Sequence, residues 1–368
     1  MLMTPRGTRA EDALSYKYED YRETDGRIAV TTHSVFASQD LGTDTHLTAE
    51  GVIDAIAGAT PNGEPAPAGS DQVPLSEMHD RRKAWNTTLS HQFPRLNVSL
   101  GYAHSLESDY LSNGYSLNTT TDFNEKNTTL LVGIAGTDDR VKVFYQPDWV
   151  SKRTYDAIVG ISQVLDPQTT ISFNISTDRA RGYLSDPYKL VLKTVEVFPG
   201  VFLPVTSAEN RPAERRKWVA YATVNHAFVA LHAALEGSYR FYHDTYGMNA
   251  HTVSVSWIQR LGPHLRLEPA LRFYDQNAAD FYHYNLDQTT IEPVAGPPQT
   301  QGPFYSSDYR LSAMRTTSTA MKAVWTVRPW LELNVAYERY DMRGKDGVTP
   351  QSAFAHANIL TAGTQFSW

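Results

Sequence analysis

The sequence predicts an all-β fold, a transmembrane up-and-down antiparallel β-barrel of about 16 strands with short periplasmic turns and long extracellular loops. Three observations lead to this prediction. Apolar and polar residues alternate through most of the chain, connections alternate between short and long, and the last strand ends on an aromatic residue. A period of two places successive side chains on opposite faces of a strand, which in a membrane barrel are the lipid face and the lumen face.

The closing stretch, residues 352–368, carries the alternation to the end of the sequence. From Leu360 onward the even positions carry a mainly apolar set that ends at Phe366 and Trp368. The residues between them are Thr361, Gly363, Gln365 and Ser367. A final aromatic after an alternating strand is typical of the closing strand of an outer-membrane barrel, where it lies at the lipid interface. We therefore expect this strand to pair with the first strand of the chain.

Composition agrees with strands rather than helices in the membrane. Hydrophobic residues make up 41% of the 368 residues, and the mean hydropathy is −0.42. No run approaches the roughly 20 apolar residues that a membrane helix needs. A lipid-facing barrel escapes hydropathy windows because each outward residue is followed by an inward polar one. The 21 Tyr and 7 Trp suit aromatic girdles at both interfaces. A soluble β-rich protein is the alternative.

Several classes of site and partner are disfavoured. Cysteine is absent, which excludes a disulfide framework, a thiolate metal site and a cysteine nucleophile. The net charge of −7 argues against nucleic acid as a partner. The N-terminus lacks an apolar signal core, and Thr8-Arg9-Ala10 resembles the remnant of a small-residue cleavage site. We predict that residues 1–10 are a signal-peptide remnant or N-terminal tail and that residues 11–368 form a single barrel domain.

Connection length alternates along the chain. The predicted short connections are residues 38–44, 94–95, 124–127, 166–168, 229–230, 262–264 and 328–329. Between them lie longer breaks, among which 57–80 and 278–305 are predicted loops and 182–214 is predicted to be the longest connection. An outer-membrane barrel has short periplasmic turns and longer outer loops, whereas a soluble sandwich has no reason to sort its loops in this way. This pattern predicts that both termini are periplasmic.

The alternation also predicts which side chains meet lipid and which meet the lumen. The predicted lipid-facing set is Leu89, Val98, Leu100, Ile171, Phe173, Val253, Val255, Leu333, Val335 and Leu360. Neighbours of these residues are predicted to face the lumen, and they are Ser90, Ser99, Ser172, Ser254, Asn334 and Thr361.

Charged residues on the polar strand faces are the candidate lumen lining. They are Glu236, Arg240, Arg266, Glu268, Arg272, Glu332 and Glu338. A dry core could not hold so many charges unless they were paired, but a wet lumen can. Charges of both signs on walls a pore-width apart would favour small polar solutes. The alternative is that the same charges merely neutralise one another by cross-strand pairing.

Several blocks of sequence resemble a Gram-negative outer-membrane family of unknown function, domain-of-unknown-function family 3570. One is Tyr18-Glu-Asp-Tyr-Arg-Glu-Thr-Asp-Gly-Arg27, and another is Gly182-Tyr-Leu-Ser-Asp-Pro-Tyr-Lys189. The remaining blocks are residues 9–12, 54–61, 124–129, 236–244, 249–253 and 304–311. The resemblance covers nearly the whole chain and implies an outer-membrane barrel. It supplies no catalytic residues.

No catalytic motif is present in the sequence. There is no Gly-rich phosphate loop, no Gly-x-Ser-x-Gly elbow and no His-Glu-x-x-His. We predict no enzymatic activity, no catalytic or cofactor-binding residues, no metal site and no cofactor. His243-Asp244, Asp280 with His283, and Asp308 lie near predicted outer strand ends and could bind a divalent cation, but histidines at wet rims are more often polar surface.

Two blocks combine aromatic residues with Asp and Arg, namely residues 239–244 and 305–310. Their plainer interpretation is the outer aromatic girdle with paired inward charges. The sharper interpretation is a selectivity lining that sets a transverse field.

Two function classes follow from the predicted barrel. The first is a porin-like channel for small polar solutes, which should have a charged constriction and an inward-folded loop. The second is a structural barrel or sheath that holds a periplasmic or lipoprotein partner, for example an electron carrier, and it should have an open and mildly polar lumen. An outer-membrane hydrolase or acyltransferase is a less favoured third class, since such a site is spatial. Expected partners are outer-membrane lipids and, for a sheath, a small lipoprotein or periplasmic protein.

Overall fold

Sixteen β-strands pair with both neighbours and close into an antiparallel barrel. This computed structural model describes residues 12–294, 296–299 and 301–368, so the predicted tail at residues 1–10 lies outside the described residues. The barrel strands are β1 (Ala13–Glu23), β2 (Ala29–Asp40), β3 (Thr45–Pro61), β4 (Leu75–Gln92), β5 (Leu96–Leu106), β6 (Tyr110–Phe123), β7 (Thr128–Val141), β8 (Val150–Asp166), β9 (Thr169–Gly182), β12 (Glu214–Phe228), β13 (Ala233–Asp244), β14 (Asn249–Leu261), β15 (Leu265–Gln276), β16 (Met314–Arg328), β17 (Leu331–Gly344) and β18 (His356–Ser367). A separate hairpin is formed by β10 (Leu190–Phe198) and β11 (Val201–Ala208).

The first and last barrel strands close the sheet. β1 pairs with β18 in antiparallel register, with Ala13 opposite Ser367 and Glu23 opposite Ala357. The prediction of about 16 strands, and of pairing between the first and last strands, is confirmed. Four single-turn 3₁₀ helices are described, at Asn124–Lys126, Val229–Leu231, Tyr309–Leu311 and Gln351–Ala353. Within the described residues, no helix has the length and apolar character needed to cross a membrane.

The barrel has two unlike ends. At the end that carries both termini, which we call the turn end, every connection has two to four residues: 41–44, 93–95, 124–127, 167–168, 229–232, 262–264 and 329–330. The opposite end, the loop end, carries residues 24–28, 62–74, 107–109, 142–149, 183–213, 245–248, 277–313 and 345–355. The predicted sorting of connections is therefore confirmed.

The two faces of the sheet also follow the prediction. Nine of the ten side chains predicted to meet lipid are 39–56% exposed on the outer face, and Val98 is half-buried. The predicted lumen residues are partly covered, and some bond across strands, as Ser90 does with Ser99 at 2.8 Å. Among the described residues, three clusters of buried apolar side chains lie at the loop end, where they include Phe354, Tyr246 and Leu286.

Two predicted loops differ from the structure. β3 and β4 extend into the predicted loop 57–80, which leaves only residues 62–74 outside the strands. The alternation of apolar and polar residues did not reveal this extension, because β4 carries charged residues on both faces. A strand that continues beyond the membrane needs no apolar face. The connection 183–213 is not the longest, since 277–313 is longer. Residues 183–213 also contain the β10–β11 hairpin and not irregular structure alone.

Candidate functional site

The first of two long loops crosses the barrel mouth. Residues 183–213 leave β9 and reach the end of β3, which lies six strands away around the ring. There the Leu190 amide donates to the Asn62 carbonyl at 2.7 Å, and the Lys189 ammonium donates to the Pro61 carbonyl. The loop therefore spans the mouth rather than extending away from it.

The second loop, residues 277–313, enters the mouth from β15. Its Tyr309 packs with the inward side chains of Tyr274 and Tyr340 in the cluster around Phe354. The Gln276 side chain on β15 donates to the Arg310 carbonyl at 3.0 Å and to a second loop carbonyl at 2.7 Å. These contacts hold the loop against the inner faces of β15 and β17.

The two loops are joined to each other. Asn210 and Tyr305 exchange backbone hydrogen bonds of 3.0 and 2.9 Å. The Ser307 hydroxyl donates to the Leu190 carbonyl at 2.5 Å, and Tyr305 is completely buried. We call this paired structure, residues 183–213 and 277–313, the lid.

A cluster of charges with a buried centre lies where the lid loops meet. Asp308 is 1% exposed and accepts hydrogen bonds from Arg211 at 2.8 Å and from the Nε of Arg310 at 2.8 Å. Arg211 also donates to Glu209 at 3.0 Å, and Arg310 also donates to Asp186. We call these five residues the lid ion cluster. Each loop contributes both acidic and basic residues to this cluster. The cluster therefore links the two loops electrostatically, in addition to the backbone hydrogen bonds between them.

The two buried acids of the lid ion cluster behave oppositely. Burial alone would raise the pKa of Asp308, but Arg310 and Arg211 hold that pKa far below its ordinary value. Burial raises the pKa of Glu209 to about 7, against the opposing effect of Arg211. Asp308 is therefore the ionised partner of both arginines, and Glu209 is the member that takes up a proton near neutral pH.

A cavity of about 820 Å³ lies between the lid and the barrel wall. We call it the mouth cavity. One side of it is acidic, because Glu107 and Asp109 line it from the connection between β5 and β6. Asp80 lies beside them, and oxygen atoms of the three carboxyl groups lie within 4.8 Å of one another. The Tyr188 hydroxyl of the lid donates to Asp109.

Another part of the mouth cavity wall is basic, lined by Arg215, Lys217 and Arg240 from β12 and β13. Arg215 pairs with Asp244 at 2.5 Å, and Lys217 pairs with Asp178 at 3.2 Å. Among the described residues Arg240 has no ion-pair partner, and its guanidinium lies 5.7 Å from the centre of the Tyr242 ring. Arg240 is therefore an uncompensated positive charge on this wall.

A second cavity, of about 450 Å³, lies deeper in the lumen against β12 to β17. Glu236, Arg272 and Glu338 line it together with hydroxyl side chains such as Ser254 and Ser318. Arg272, like Arg240, forms no ion pair with any residue that the structure describes. We call this space the lumen cavity.

The other three sequence-predicted candidates lie on the inner wall, where two of them belong to an ion-pair network. Arg266 pairs with Glu268 at 2.5 Å, and Lys322 pairs with the same carboxylate at 3.3 Å. Glu332 accepts a hydrogen bond of 2.8 Å from Thr326. All seven candidates thus share the inward face, four of them at a cavity, and their part in selecting solutes stays a prediction.

His243 and Asp244, which were considered for a cation, lie on opposite faces of β13 in the structure. His243 is on the outer face, stacked against Trp218 with ring centres 5.6 Å apart, whereas Asp244 points inward to Arg215. Asp308 belongs to the lid ion cluster, with Arg211 and Arg310 as its partners. The girdle interpretation of residues 305–310 is wrong, because this segment is buried in the lid rather than in a strand.

Sequence reasoning missed most of the lid ion cluster. Glu209 and Arg211 lie in a stretch without alternation, and nothing in the sequence pairs them with Asp308. The usable signal is that two polar loop blocks, residues 182–189 and 304–311, combine Asp with aromatic residues and a cation. The same blocks carry the family resemblance.

The comparisons with known proteins agree with this architecture. The family described as "Protein of unknown function (DUF3570)" matches residues 3–149 and 145–366. The chain belongs to the DUF3570 family. No curated protein matches it.

Three solved structures to which the chain is similar cover most of its length. A bacterial polysaccharide outer membrane secretin is 8% identical with a TM-score of 0.51, over 97% of this chain and 98% of that one. A mutant ferric enterobactin receptor from Pseudomonas aeruginosa is 13% identical with a TM-score of 0.48, over 96% of this chain and 59% of the receptor. The CymD monoaromatic hydrocarbon channel is 9% identical with a TM-score of 0.45, over 97% and 88%.

The DUF3570 chain thus spans about three fifths of the length of the receptor that it matches. At these identities the likeness is one of fold. A closed barrel of this architecture, with an apolar outer face, implies the outer membrane.

Proposed function

We propose that this DUF3570 protein is a channel for small polar solutes, with the loop end outside the cell and both termini in the periplasm. The observation that carries the proposal is the mouth cavity, which lies under an inward-folded lid and whose wall carries both an acidic and a basic region. Opposed charges across a narrow aqueous passage orient polar solutes and penalise apolar ones. The proposed role involves no catalysis.

Arg240 and Arg272 follow one another along this passage, one at each cavity. Strand register aligns Arg240 with Thr252 and Tyr274, and it aligns Arg272 with Ser254 and Ser238. These are neighbouring inward rows, so the Cα positions of the two arginines are offset by about 7 Å along the strands. A solute that carries a negative or strongly polar group can contact Arg240 in the mouth cavity and then Arg272 in the lumen cavity as it moves inward.

Conductance of the purified barrel in planar bilayers tests this function. We expect discrete conductance steps that persist at neutral pH and a preference for anions over cations. A barrel that inserts into the bilayer, as checked by heat-modifiable migration on a gel, but conducts no ions would contradict the proposal.

The proposed orientation has its own test. A short epitope inserted in loop 345–355 should be detected on intact cells, because that connection lies at the loop end. The matched control is the same epitope in turn 262–264, which should be detected only after permeabilisation. The reverse pattern would place the lid in the periplasm.

One observation favours the sheath as a second candidate. Part of the inner wall, from β5 to β8, carries glycines over which polar side chains of neighbouring strands lie. A Cβ atom at Gly133 would lie 2.2 Å from the Asn118 amide oxygen, and one at Gly160 would lie 1.9 Å from that of Asn174. Such a wall is smooth enough to seat an elongated partner. Copurification of a stoichiometric small protein with a non-conducting barrel would favour this second function.

A further inference from the structure

The outer surface of β6 to β12 carries a feature that neither transport nor barrel closure uses. Three arginines, Arg179, Arg181 and Arg216, converge on the single carboxylate of Glu214. The Nε atoms lie 3.1, 3.0 and 2.7 Å from its oxygens, and the arginine side chains are 39–53% exposed. We call this group the rim arginine cluster.

The rim arginine cluster has a surplus of positive charge. One carboxylate offers about four acceptor positions, while three guanidinium groups offer about fifteen N–H donors. The group therefore holds a net charge of about +2 with many donors that point outward. Solvent-exposed ion pairs contribute little to stability, so holding the barrel together does not account for three arginines on one acid.

An apolar slot of about 500 Å³ opens beside the cluster on the same outer face. Tyr115 and Tyr155, each 60% exposed, form its walls, and Gly136 lies between them in register. The same register row continues from Tyr155 to Arg179 and Arg216. The slot therefore leads directly to the rim arginine cluster.

The floor of the slot is formed at Gly136, which has no side chain to fill it. A Cβ atom at Gly136 would lie 2.9 Å from the Thr154 carbonyl oxygen and 3.6 Å from the Tyr155 ring. Toward the turn end, the next row is apolar and exposed, with Ile134 beside Leu117. The slot therefore begins at arginines and continues over apolar residues on a lipid-facing surface. This arrangement matches the shape of one acyl chain below a phosphate.

The width of the basic region indicates more than one phosphate. Arg153, 61% exposed and 3.6 Å from Asp138, continues it toward the slot. From Arg153 on β8 to Arg216 on β12 the region crosses three neighbouring strands, or about 10 Å. A single phosphate needs only one bidentate arginine or two. A headgroup with two phosphates would use the whole width.

We propose that the rim arginine cluster and the adjoining slot bind a glycolipid that carries two phosphates and several acyl chains, in the membrane leaflet at the loop end. Arg179, Arg181 and Arg216 take one phosphate, Arg153 reaches the second, and one acyl chain lies between Tyr115 and Tyr155. This lipid site is independent of what passes through the lumen.

The test uses the whole barrel in detergent, titrated with bisphosphorylated hexaacyl lipid A and followed by native mass spectrometry. The parent should retain a lipid A molecule, and the triple variant Arg179→Gln/Arg181→Gln/Arg216→Gln should bind it about tenfold or more weakly, because each lost contact at an exposed site is worth a factor of about two to five. The matched control is Arg22→Gln. Arg22 is another exposed rim arginine, paired with Asp20 on β1, and its loss should leave binding unchanged.

Further arms identify the ligand. Glu214→Gln removes the competing carboxylate and should strengthen binding, which keeps the test decisive if the triple variant folds poorly. Tyr155→Ala should weaken binding of the lipid but not of inorganic phosphate. Equal retention of lipid A by parent and triple variant would overturn the proposal. So would equally tight binding of a singly phosphorylated phospholipid or of inorganic phosphate alone, since neither needs the slot and the wide basic region together.

Discussion

The two ends of the barrel solve different problems with the same sheet. At the turn end, connections of two to four residues reverse the chain and bury little. At the loop end, two long loops cross the mouth and pair with each other, and they form one ion cluster around the buried Glu209 and Asp308. Strand count and closure are therefore determined locally at the turns. Any selectivity at the loop end depends instead on contacts between residues that are far apart in sequence.

Breaking the lid ion cluster should have the largest effect. Asp308→Asn removes the carboxylate that Arg211 and Arg310 share, and breaking a buried pair such as Arg211–Asp308 costs about 3–5 kcal/mol. We expect the lid to open while the barrel stays folded. Hydrogen exchange at the Asn210 and Tyr305 amides, which bond the loops together, measures the loss.

Asp71→Asn is the matched control for Asp308→Asn, because Asp71 is an exposed acid in another loop at the same end. Its exchange rates at Asn210 and Tyr305 should match those of the parent. Unchanged protection in Asp308→Asn would mean that backbone pairing alone holds the lid.

A second prediction separates the lipid face from the lumen face at mid-strand. Val255 is outward and 43% exposed, and its neighbour Ser254 lines the lumen cavity. Val255→Arg should destabilise the barrel by about 2–4 kcal/mol, as arginine does at the bilayer midplane. Ser254→Arg should cost far less, because the lumen is polar. Unfolding in urea from lipid vesicles compares the two, and equal losses would contradict the assignment of faces.

A third prediction concerns pH at the loop end alone. Burial places the folded pKa of Glu209 at about 7, above its ordinary value of 4.5. A raised acid pKa means that the folded lid binds the proton more tightly than the open one, so lid stability should fall as pH rises from about 4.5 to 7. Glu209→Gln, a mimic of the protonated acid, should lose this part of the pH dependence in hydrogen exchange of the Tyr305 amide. Identical pH profiles for the two proteins would show that Glu209 does not titrate in this range.

The sequence could predict the barrel because its rule is local. Val253, Ser254 and Val255 alternate within three residues, and the short connections mark each reversal. The strand number, the closure of β1 on β18 and the lipid face all follow from such local signals. The extension of β4 to Leu75 escaped prediction because its added residues lie where neither face needs to be apolar.

The lid could not be predicted because its contacts are not periodic. Arg211 meets Asp308 across 97 positions in sequence, and both lie in loops where alternation says nothing about neighbours. Glu236 and Arg272 could be placed on the inward face, but only the register of β13, β14 and β15 brings them to one cavity. Which of the inward charges remain unpaired is likewise a property of the assembled wall.

The most direct test of the channel function is the reversal potential of single arginine variants across a KCl gradient. Arg240 and Arg272 line the two cavities and form no ion pair among the described residues, so Arg240→Ala and Arg272→Ala should each shift the preference toward cations without unfolding the barrel. Arg22→Ala, on the outer face, is the control and should leave the potential unchanged. If both lumen variants insert normally and keep the reversal potential of the parent, these arginines do not select ions and the proposed passage is contradicted.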